Sequence, residues 1–241
     1  VSYYPKLLGM SPVSPVLGYR FHIRAGEDEA ALTAEMLRVI DLFCEQNSIL
    51  SCNFLYVDPL WRPMAEAAGC AAWLNQQSLW SRGDDRSFDD YLQGFNANQR
   101  RNIKRERKAV AKAGLTVTPL TGEQLDLALL QRMHRFYEQH CARWGPWGSK
   151  YLEESFFEAL AGLHRDQLVL FSAHRGDPRD PVAMSMCVQD GRQLWGRYWG
   201  SHEEIDCLHF EVCYYAPIEW ALDNGIVSFD PGAGGSHKRR R

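Results

Sequence analysis

The sequence lacks the motifs by which several large enzyme classes are recognised. Its 241 residues contain no GxSxG nucleophile elbow, no P-loop and no long dinucleotide-binding glycine pattern. Serine-hydrolase, nucleotide-triphosphatase and dinucleotide-dependent chemistry therefore have no support in the sequence. The seven cysteines form no CxxC pair and are odd in number, so we expect reduced, buried thiols. Cys207, His209 and Cys213 would need a further well-placed ligand to hold a metal, and we expect no metal site.

Long apolar runs are missing as well. No segment approaches the roughly 18 apolar residues of a membrane span, and the start VSYYPKLLGM lacks the charged-then-apolar order of a signal peptide. With 45% hydrophobic and 12% aromatic residues, the chain can still bury a sizeable core. These features predict a globular cytoplasmic protein. Because the chain does not begin with Met and closes on GGSHKRRR, we expect it to be trimmed at both ends.

The charge is distributed unevenly. The formal net charge is −3, yet residues 98–112 carry seven cations against one acid, a local net charge of +6. On a helix, Ile103 and Val110 lie a heptad apart on one stripe, while most of the cations lie on another. Clustered Arg and Lys predict a phosphate-bearing partner, the alternative being a solvated face neutralised by acids elsewhere in the fold. The cations assigned to this function are Arg100, Arg101, Lys104, Arg105, Lys108 and Lys112.

Helices and strands alternate along the chain. The apolar spacing predicts helices over about 28–47, 61–69, 87–112, 121–141 and 151–163, and a last helix that begins at LHFEVCYY and closes at Asn224-Gly225. Strands are predicted for GYRFHI, ILSCNFLYVD, CAAWLNQQSLW, LTVTPL, LVLFSAHR, PVAMSMCVQ, QLWGRYWG and IVSFDPG. The three strands between residues 168 and 200 are expected to form an antiparallel meander, because Asp190-Gly191 is a hairpin signal. A domain boundary is expected near residues 113–122.

The strand LWGRYWGS carries part of the functional hypothesis. A period of two would place Trp195, Arg197 and Trp199 on one face and Tyr198 on the other. Only one of Arg197 and Tyr198 could then face a cleft. Arg197 could hold a carboxylate or a phosphate there, or form a surface salt bridge.

The helix that follows presents a line of polar side chains. Glu211, Tyr215 and Glu219 recur at i, i+4 and i+8, so a carboxylate and a phenol could face a cleft together. Pro217 lacks the N–H that a helix interior requires, and we expect either a kink or a break that leaves it in the first turn of a shorter helix.

Five segments together resemble a bacterial family of peptidoglycan biosynthesis or recognition proteins, similar to the Fem-type peptidyltransferases (FemAB-like) of the GNAT acyltransferase superfamily. They are SYYPKL, the RSFDDYL to RRNIKRERK segment, GRYWG, the LHFE and CYY run, and the closing GAGGSHK. The resemblance extends over nearly the whole chain.

The resemblance implies an α/β (α+β) fold of two tandem GNAT-like lobes, each with a mixed central sheet flanked by helices. We place the first lobe, N-terminally incomplete, at 1–115 with the basic helix at 88–112, and the second, C-terminally incomplete, at 116–241. The implied activity is transfer of an aminoacyl or acyl group to an amine, of a cell-wall precursor or another phosphate-bearing acceptor. The expected partners are a phosphate-bearing small molecule or tRNA, and not DNA. Peripheral contact with the inner membrane and the oligomeric state stay open.

The donor is aminoacyl-tRNA or acyl-CoA, and no permanently bound cofactor is expected. Acetyl-CoA-binding GNAT enzymes carry an Arg/Gln-x-x-Gly-x-Gly/Ala loop after the fourth strand, where backbone N–H groups bind the pyrophosphate. This chain has GSHEEIDCLHF at that place. Glu203, Glu204 and Asp206 would repel a pyrophosphate, so aminoacyl-tRNA fits better.

Acyl transfer to an amine needs a base that removes the ammonium proton. Glu211 is our first candidate, with Tyr215 as proton donor or shuttle and His209 as a third catalytic candidate. The alternatives are a structural carboxylate at a helix start and a buried, satisfied imidazole. The residues expected to bind substrate are Arg197, Tyr198, Trp199, Trp144, His237 and Lys238. The last two follow Gly232, Gly234 and Gly235, which fit either an anion-binding turn or a flexible tail.

A second hypothesis comes from another functional class. The chain could be a non-catalytic module that keeps the fold and binds a polyanion through residues 100–112. A cell-wall precursor such as a UDP-muropeptide, a tRNA or an anionic lipid would be its ligand.

Overall fold

The computed structural model describes residues 4–11, 15–148, 150–232 and 238. The chain forms two compact units, Val1–Gln76 and Gln77–Arg241. Each unit has its own hydrophobic core.

The first unit is built around one long helix. Helix α1 (Glu29–Gln46) begins after Asp28, whose carboxylate accepts a hydrogen bond from the Ala31 N–H at 3.0 Å. Strands β1 (Leu7–Gly9) and β2 (Cys52–Phe54) pair in parallel, and helix α2 (Arg62–Ala67) follows. The core of this unit consists of Phe21, Leu37, Trp61 and Ala65.

Two strands predicted for the first unit are wrong in extent. In GYRFHI only Tyr19 pairs, through an isolated bridge to Val57. The N–H groups of Gly18 and Tyr19 both donate to the carbonyl of Tyr56 and the N–H of Asp58 donates to the carbonyl of Tyr19, while residues 20–23 have no strand partner. In ILSCNFLYVD only three residues form a strand, because the partner strand β1 is itself three residues long.

A six-stranded mixed sheet forms the centre of the second unit. Its strands are β3 (Trp80–Ser81), β4 (Thr116–Thr121), β5 (Leu168–His174), β6 (Ala183–Asp190), β7 (Gln193–Ser201) and β8 (Ser228–Asp230), in the order β3-β8-β7-β6-β5-β4. Strands β4 to β7 form antiparallel neighbours, which confirms the predicted meander, whereas β7 and β8 run parallel. The fold is therefore mixed α/β. The edge position of β4 leaves one side of that strand available to form a groove.

Helices lie on both faces of this sheet. Helices α5 (Leu127–Ala142) and α6 (Glu154–Leu163) cover one face, where the ring of Tyr198 lies 5.0 Å from that of Tyr137. The last helical segment covers the other face, where the Ser185 hydroxyl donates to the carbonyl of Val212 at 2.7 Å. Tyr198 and Ser185 thus point to opposite faces of the sheet, since side chains of a pleated strand alternate between its two faces.

The predicted helix over 87–112 is two helices. Ser87 starts α3 (Phe88–Gln93) and Asn96 starts α4 (Ala97–Lys112), and each cap forms a reciprocal capping box with the residue three positions later. Gly94 ends the first helix. Because Ser87 and Asn96 are both N-caps, nine residues apart, a second helix begins at Asn96 and α4 is separate from α3.

The predicted strand CAAWLNQQSLW is wrong except at its end. Only Trp80 and the following Ser81 pair, with Phe229 and Ser228 of β8. The side chain of Trp73 is 87% exposed, so its apolar character does not reflect burial in a sheet.

Residues 113–122, where the sequence predicted a boundary, lie inside the second unit. All six residues of β4 pair with β5, from Thr116 with His174 to Thr121 with Val169. The arrangement as two tandem GNAT-like lobes stays a prediction.

A glycine fixes the distance between β7 and α5. A Cβ atom added at Gly200 would lie 2.2 Å from the carbonyl oxygen of Phe136. We predict that Gly200→Ala lowers the free energy of unfolding by at least about 2 kcal/mol, because a backbone oxygen cannot move aside as a side chain can. Urea denaturation monitored by circular dichroism measures the loss.

The matched control is Gly162→Ala in α6, where an added Cβ meets nothing within 4 Å. It should leave stability unchanged or raise it by up to about 1 kcal/mol, since alanine favours helix over glycine. Equal losses in both variants would contradict the close approach.

Candidate functional site

A buried ion pair joins α4 to the last helical segment. Nε of Arg107 donates to both carboxylate oxygens of Glu211 at 3.1 Å, and Nη2 donates to Oε1 of Glu211 at 2.9 Å. The same Nη2 donates to Oε2 of Glu219 at 2.6 Å. The guanidinium also lies 4.5 Å from the centre of the Phe88 ring. Arg107 is thus fixed by two carboxylates and one aromatic face.

The residue before it makes a second link. Glu106 accepts a hydrogen bond from the hydroxyl of Tyr215, whose side chain is fully buried. Glu211, Tyr215 and Glu219 therefore share one side of the helix, as their spacing predicted. That side faces α4, and only the two carboxylates also reach a cavity.

The helix that carries these residues is irregular. It consists of α7 (Leu208–Phe210), a π-helical segment (Glu211–Tyr215) and α8 (Ala216–Asp223). Pro217 lies in the first turn of α8, as the second predicted outcome has it, but the predicted break is absent, because the π-helical segment runs directly into α8. A proline in the first turn of a helix costs little, and π turns often occur at functional sites.

Burial determines the proton affinity of Glu211. Its side chain is only 8% exposed, and the resulting desolvation raises the pKa of its carboxyl, while Arg107 acts in the opposite direction. Desolvation lowers the pKa of Arg107, but hydrogen bonds and charge from Glu219 and Glu211 raise it overall. Glu211 is consequently a stronger base than an exposed glutamate.

These side chains line a cavity of about 570 Å³. Its walls are α4, the edge strand β4 and α8. Ionic side chains of both signs reach it from α4 and α8, and the rest of the lining is largely apolar. The ionic lining residues are Arg107, Lys108, Glu211, Glu219 and Asp223. A volume between about 300 and 1,000 Å³ is typical of small-molecule sites.

The outer side of α4 carries the predicted cationic stripe. Ile103 and Val110 are buried on its inner side, as predicted. We call the exposed cations the cationic face: Arg101, Lys104, Arg105, Lys108 and Lys112. Among the described residues, the ion pair found on this face joins Lys104 and Asp89 at 3.7 Å. The guanidinium of Arg100 instead donates to the carbonyl of Phe95.

The predicted single face of LWGRYWGS is wrong, because Arg197 is the extra residue of a β-bulge. Tyr198 pairs with Met186 and Gly196 with Cys187, so the alternation of side chains shifts at this point. Arg197 then lies over the ring of Tyr198, 5.7 Å from its centre.

Trp199 and His209 lie together, away from Tyr198. Their rings are 4.6 Å apart, and the His209 ring also packs edge-on against Tyr214 at 5.4 Å. The ring of Trp199 is 5.6 Å from that of His140. The imidazole of His209 is therefore part of an aromatic cluster, and it is not among the residues that line the cavity with Glu211.

The remaining predicted residues are dispersed. Trp144 is 62% exposed at the end of α5. Lys238 is buried, with its ammonium donating to the carbonyl of Gly232, and burial lowers its pKa against an opposing effect of Asp230. His237, like residues 233–236, lies outside the described residues.

Sequence reasoning missed the role of Arg107. It counted Arg107 among the cations of the segment, although the residue lies between Ile103 and Val110 on the buried side of α4. A charged residue at i+4 from one core position and i−3 from the next is a signal for a buried ion pair.

We predict that Arg107→Met costs about 3 kcal/mol of stability at pH 7, because it leaves the Glu211 carboxylate buried without its cation. A carboxyl group whose pKa is raised in the folded state contributes less stability as the pH rises through that pKa, so the cost should shrink as the pH falls and Glu211 takes up its proton. Thermal unfolding from pH 4.5 to 7.5 tests this.

Arg105→Met on the exposed side of the same helix is the control, with an expected change within about 0.5 kcal/mol at every pH. A loss for Arg107→Met that is the same at all pH values would show that packing, and not charge, is responsible.

The described residues contain no grouping of three or more His, Cys, Asp or Glu side chains that could hold a metal ion. Within the same residues, no helix combines the length and apolar character needed to cross a membrane.

Solved structures share this fold at low sequence identity. One is the C-terminal domain of a putative lysylphosphatidylglycerol synthetase from Agrobacterium fabrum, with 11% identity and a TM-score of 0.53 over 86% of this chain and 61% of that one. Another is L-PGS from Bacillus licheniformis, with 10% identity and a TM-score of 0.52 over 83% of this chain and 57% of that one. The chain thus spans about three fifths of the length of these solved chains.

Comparison with curated proteins gives no match. A family model does match, described as peptidoglycan biosynthesis/recognition, and it extends over residues 1–241. The resemblance found in the sequence motifs is thereby confirmed over the whole chain, which belongs to the FemAB-like family.

Proposed function

We propose that this protein is an acyltransferase that moves an aminoacyl or acyl group to the amine of a phosphate-bearing acceptor in cell-envelope biosynthesis. The observation that carries the proposal is the buried carboxylate of Glu211, which opens into the cavity beside the cationic face of α4. Family membership supports the envelope context. The Agrobacterium neighbour is named for lysylphosphatidylglycerol, a compound that joins an aminoacyl group to a phosphate-bearing molecule.

Glu211 acts as the general base in this proposal. An acceptor amine is an ammonium ion near neutral pH and must lose a proton before it attacks a carbonyl carbon. The raised pKa of Glu211 strengthens the carboxylate as a proton acceptor, while Arg107 stabilises its ionised form and fixes its orientation. Tyr215 supports this geometry through Glu106, because its buried hydroxyl is already engaged.

The cationic face recruits the phosphate of the acceptor. Guanidinium and ammonium groups bind phosphate oxygens with charge-assisted hydrogen bonds. Of the exposed cations of α4, Lys108 also lines the cavity. A phosphate held there would therefore bring the attached amine into the cavity that Glu211, Glu219 and Asp223 line.

Aminoacyl-tRNA is the donor in this proposal, and acyl-CoA is the alternative. The loop after β7 carries Glu204 and Asp206 on its exposed surface, while Glu203 pairs with Arg175 at 2.7 and 2.8 Å. Glu204 and Asp206 form no such ion pair among the described residues, so their negative charges still disfavour a pyrophosphate at this loop.

We predict that Glu211→Gln lowers the transfer rate by about 10²- to 10⁴-fold, the usual contribution of a general base. The amide keeps the shape of the side chain but cannot accept the proton. The measurement is single-turnover transfer of a radiolabelled aminoacyl group to bacterial envelope precursors.

Glu154→Gln on the exposed first turn of α6 is the matched control and should retain the full rate. If Glu211→Gln also retains it, Glu211 is not the base. A separate melting curve for each variant ensures that lost activity is not lost folding.

A non-catalytic polyanion-binding module is the second candidate, favoured by the five exposed cations of α4. Under both candidates, charge reversal of Arg101, Lys104, Arg105 and Lys108 to Glu should weaken binding to a phosphate-bearing ligand. The slope of log K against log salt should fall by about 0.7 to 0.9 per lost phosphate contact. Fluorescence titration with tRNA and with a UDP-linked muropeptide at several salt concentrations measures it.

Charge-reversed protein that binds as well as the wild type, with the same salt slope, would exclude α4 as the phosphate site. If the charge-reversed protein still transfers the acyl group, the catalytic proposal stands and only the role of α4 in recruiting phosphate is rejected.

A further inference from the structure

Lys108 belongs to two surfaces at once. It is part of the cationic face, one helical turn from Lys104 and from Lys112, and it also lines the cavity. Its side chain is exposed, and within the described part of the chain it forms no ion pair. A group bound at Lys108 is therefore in contact with both surfaces.

The opposite wall of the cavity carries the other sign of charge. Glu219 and Asp223 lie one turn apart on α8 and both line the cavity. Arg107 engages one oxygen of Glu219, whereas Asp223 is exposed and forms no ion pair with a described residue. An ammonium group at this wall would meet two carboxylates.

The same cavity also has apolar lining residues. Val117 of β4 and Trp220 of α8 line the cavity, and the indole is fixed edge-on against Phe171, with ring centres 6.3 Å apart. A short hydrocarbon or ring segment of a ligand can cover these side chains, and an indole also attracts a nearby ammonium ion.

Lys108, the apolar side chains of Val117 and Trp220, and the carboxylates of Asp223 and Glu219 thus line one cavity. We propose that one ligand spans them, with its phosphate at Lys108 on the cationic face, its apolar segment along Trp220, and its amine directed to Asp223 and Glu219. This inference rests on the proposed function and specifies the acceptor as a phosphorylated amine of small size. A simple phosphate would use only α4, and a simple amine would use only α8.

A series of ω-aminoalkyl phosphates with two, four or six carbons tests the span. Inorganic phosphate and ethanolamine are the single-group references, and isothermal titration calorimetry is carried out on the whole chain at constant ionic strength, without a donor. Tethering two binding groups makes the second event intramolecular, so one chain length should bind at least about tenfold more tightly than inorganic phosphate.

Two variants identify the ends of the ligand. Lys108→Ala and Asp223→Asn should each abolish the advantage of the best aminoalkyl phosphate over inorganic phosphate, and the double variant should lose little more than either one. Arg101→Ala is the matched control: it lies on the cationic face outside the cavity, and it should weaken all phosphate-bearing ligands by the same factor.

The inference is overturned if no chain length exceeds inorganic phosphate, or if Asp223→Asn binds the whole series as the wild type does. The Glu211→Gln variant separates this result from the proposed function. With that variant, length-dependent binding without transfer supports both proposals, whereas length-dependent binding with full transfer rejects only Glu211 as the base.

Discussion

The pairing of Arg107 with Glu211 and Glu219 is the interaction on which the rest of the site depends. Removing a guanidinium and a carboxylate from water costs several kcal/mol, and the cost is offset here by a two-point hydrogen bond, a second carboxylate and the Phe88 ring. This pair and the buried side chains of Ile103 and Val110 fix one side of α4, and the cationic face lies on its exposed side.

The π-helical segment makes that pairing compatible with Pro217. A regular α-helix through residue 217 would lack one hydrogen bond and bring the proline ring against the preceding turn. The five-residue π segment Glu211–Tyr215 widens the helix just before the proline. The irregularity thus begins at the residue that we propose as the base, and both carboxylates still reach Arg107.

The sheet also contains an irregularity that decides where side chains lie. The bulge at Arg197 shifts the alternation of β7, so that Tyr198 packs against α5 and α6 while Trp199 meets His209. Gly200 then allows α5 to approach the strand closely. Without the bulge, the alternation of side chains along β7 would continue unchanged and the period-two prediction would hold.

The sequence by itself determined the elements that local patterns specify. The meander β5–β7, helix α1, the buried positions Ile103 and Val110, and the family all follow from periodicity, turn signals and motifs. These features depend on residues close together in the chain, where spacing alone states which side chains share a face.

Tertiary structure decided what depends on distant partners. Arg107 and Glu211 are 104 positions apart, so no spacing could show that one arginine of a basic segment would be half-buried and paired while the other cations stay exposed. The bulge at Arg197 depends on the register with β6, and the unpaired run around Trp73 depends on the absence of a partner strand among the described residues. Local sequence preference indicates a helix or a strand. Burial, strand pairing and charge compensation depend instead on the residues that surround a position in the folded protein.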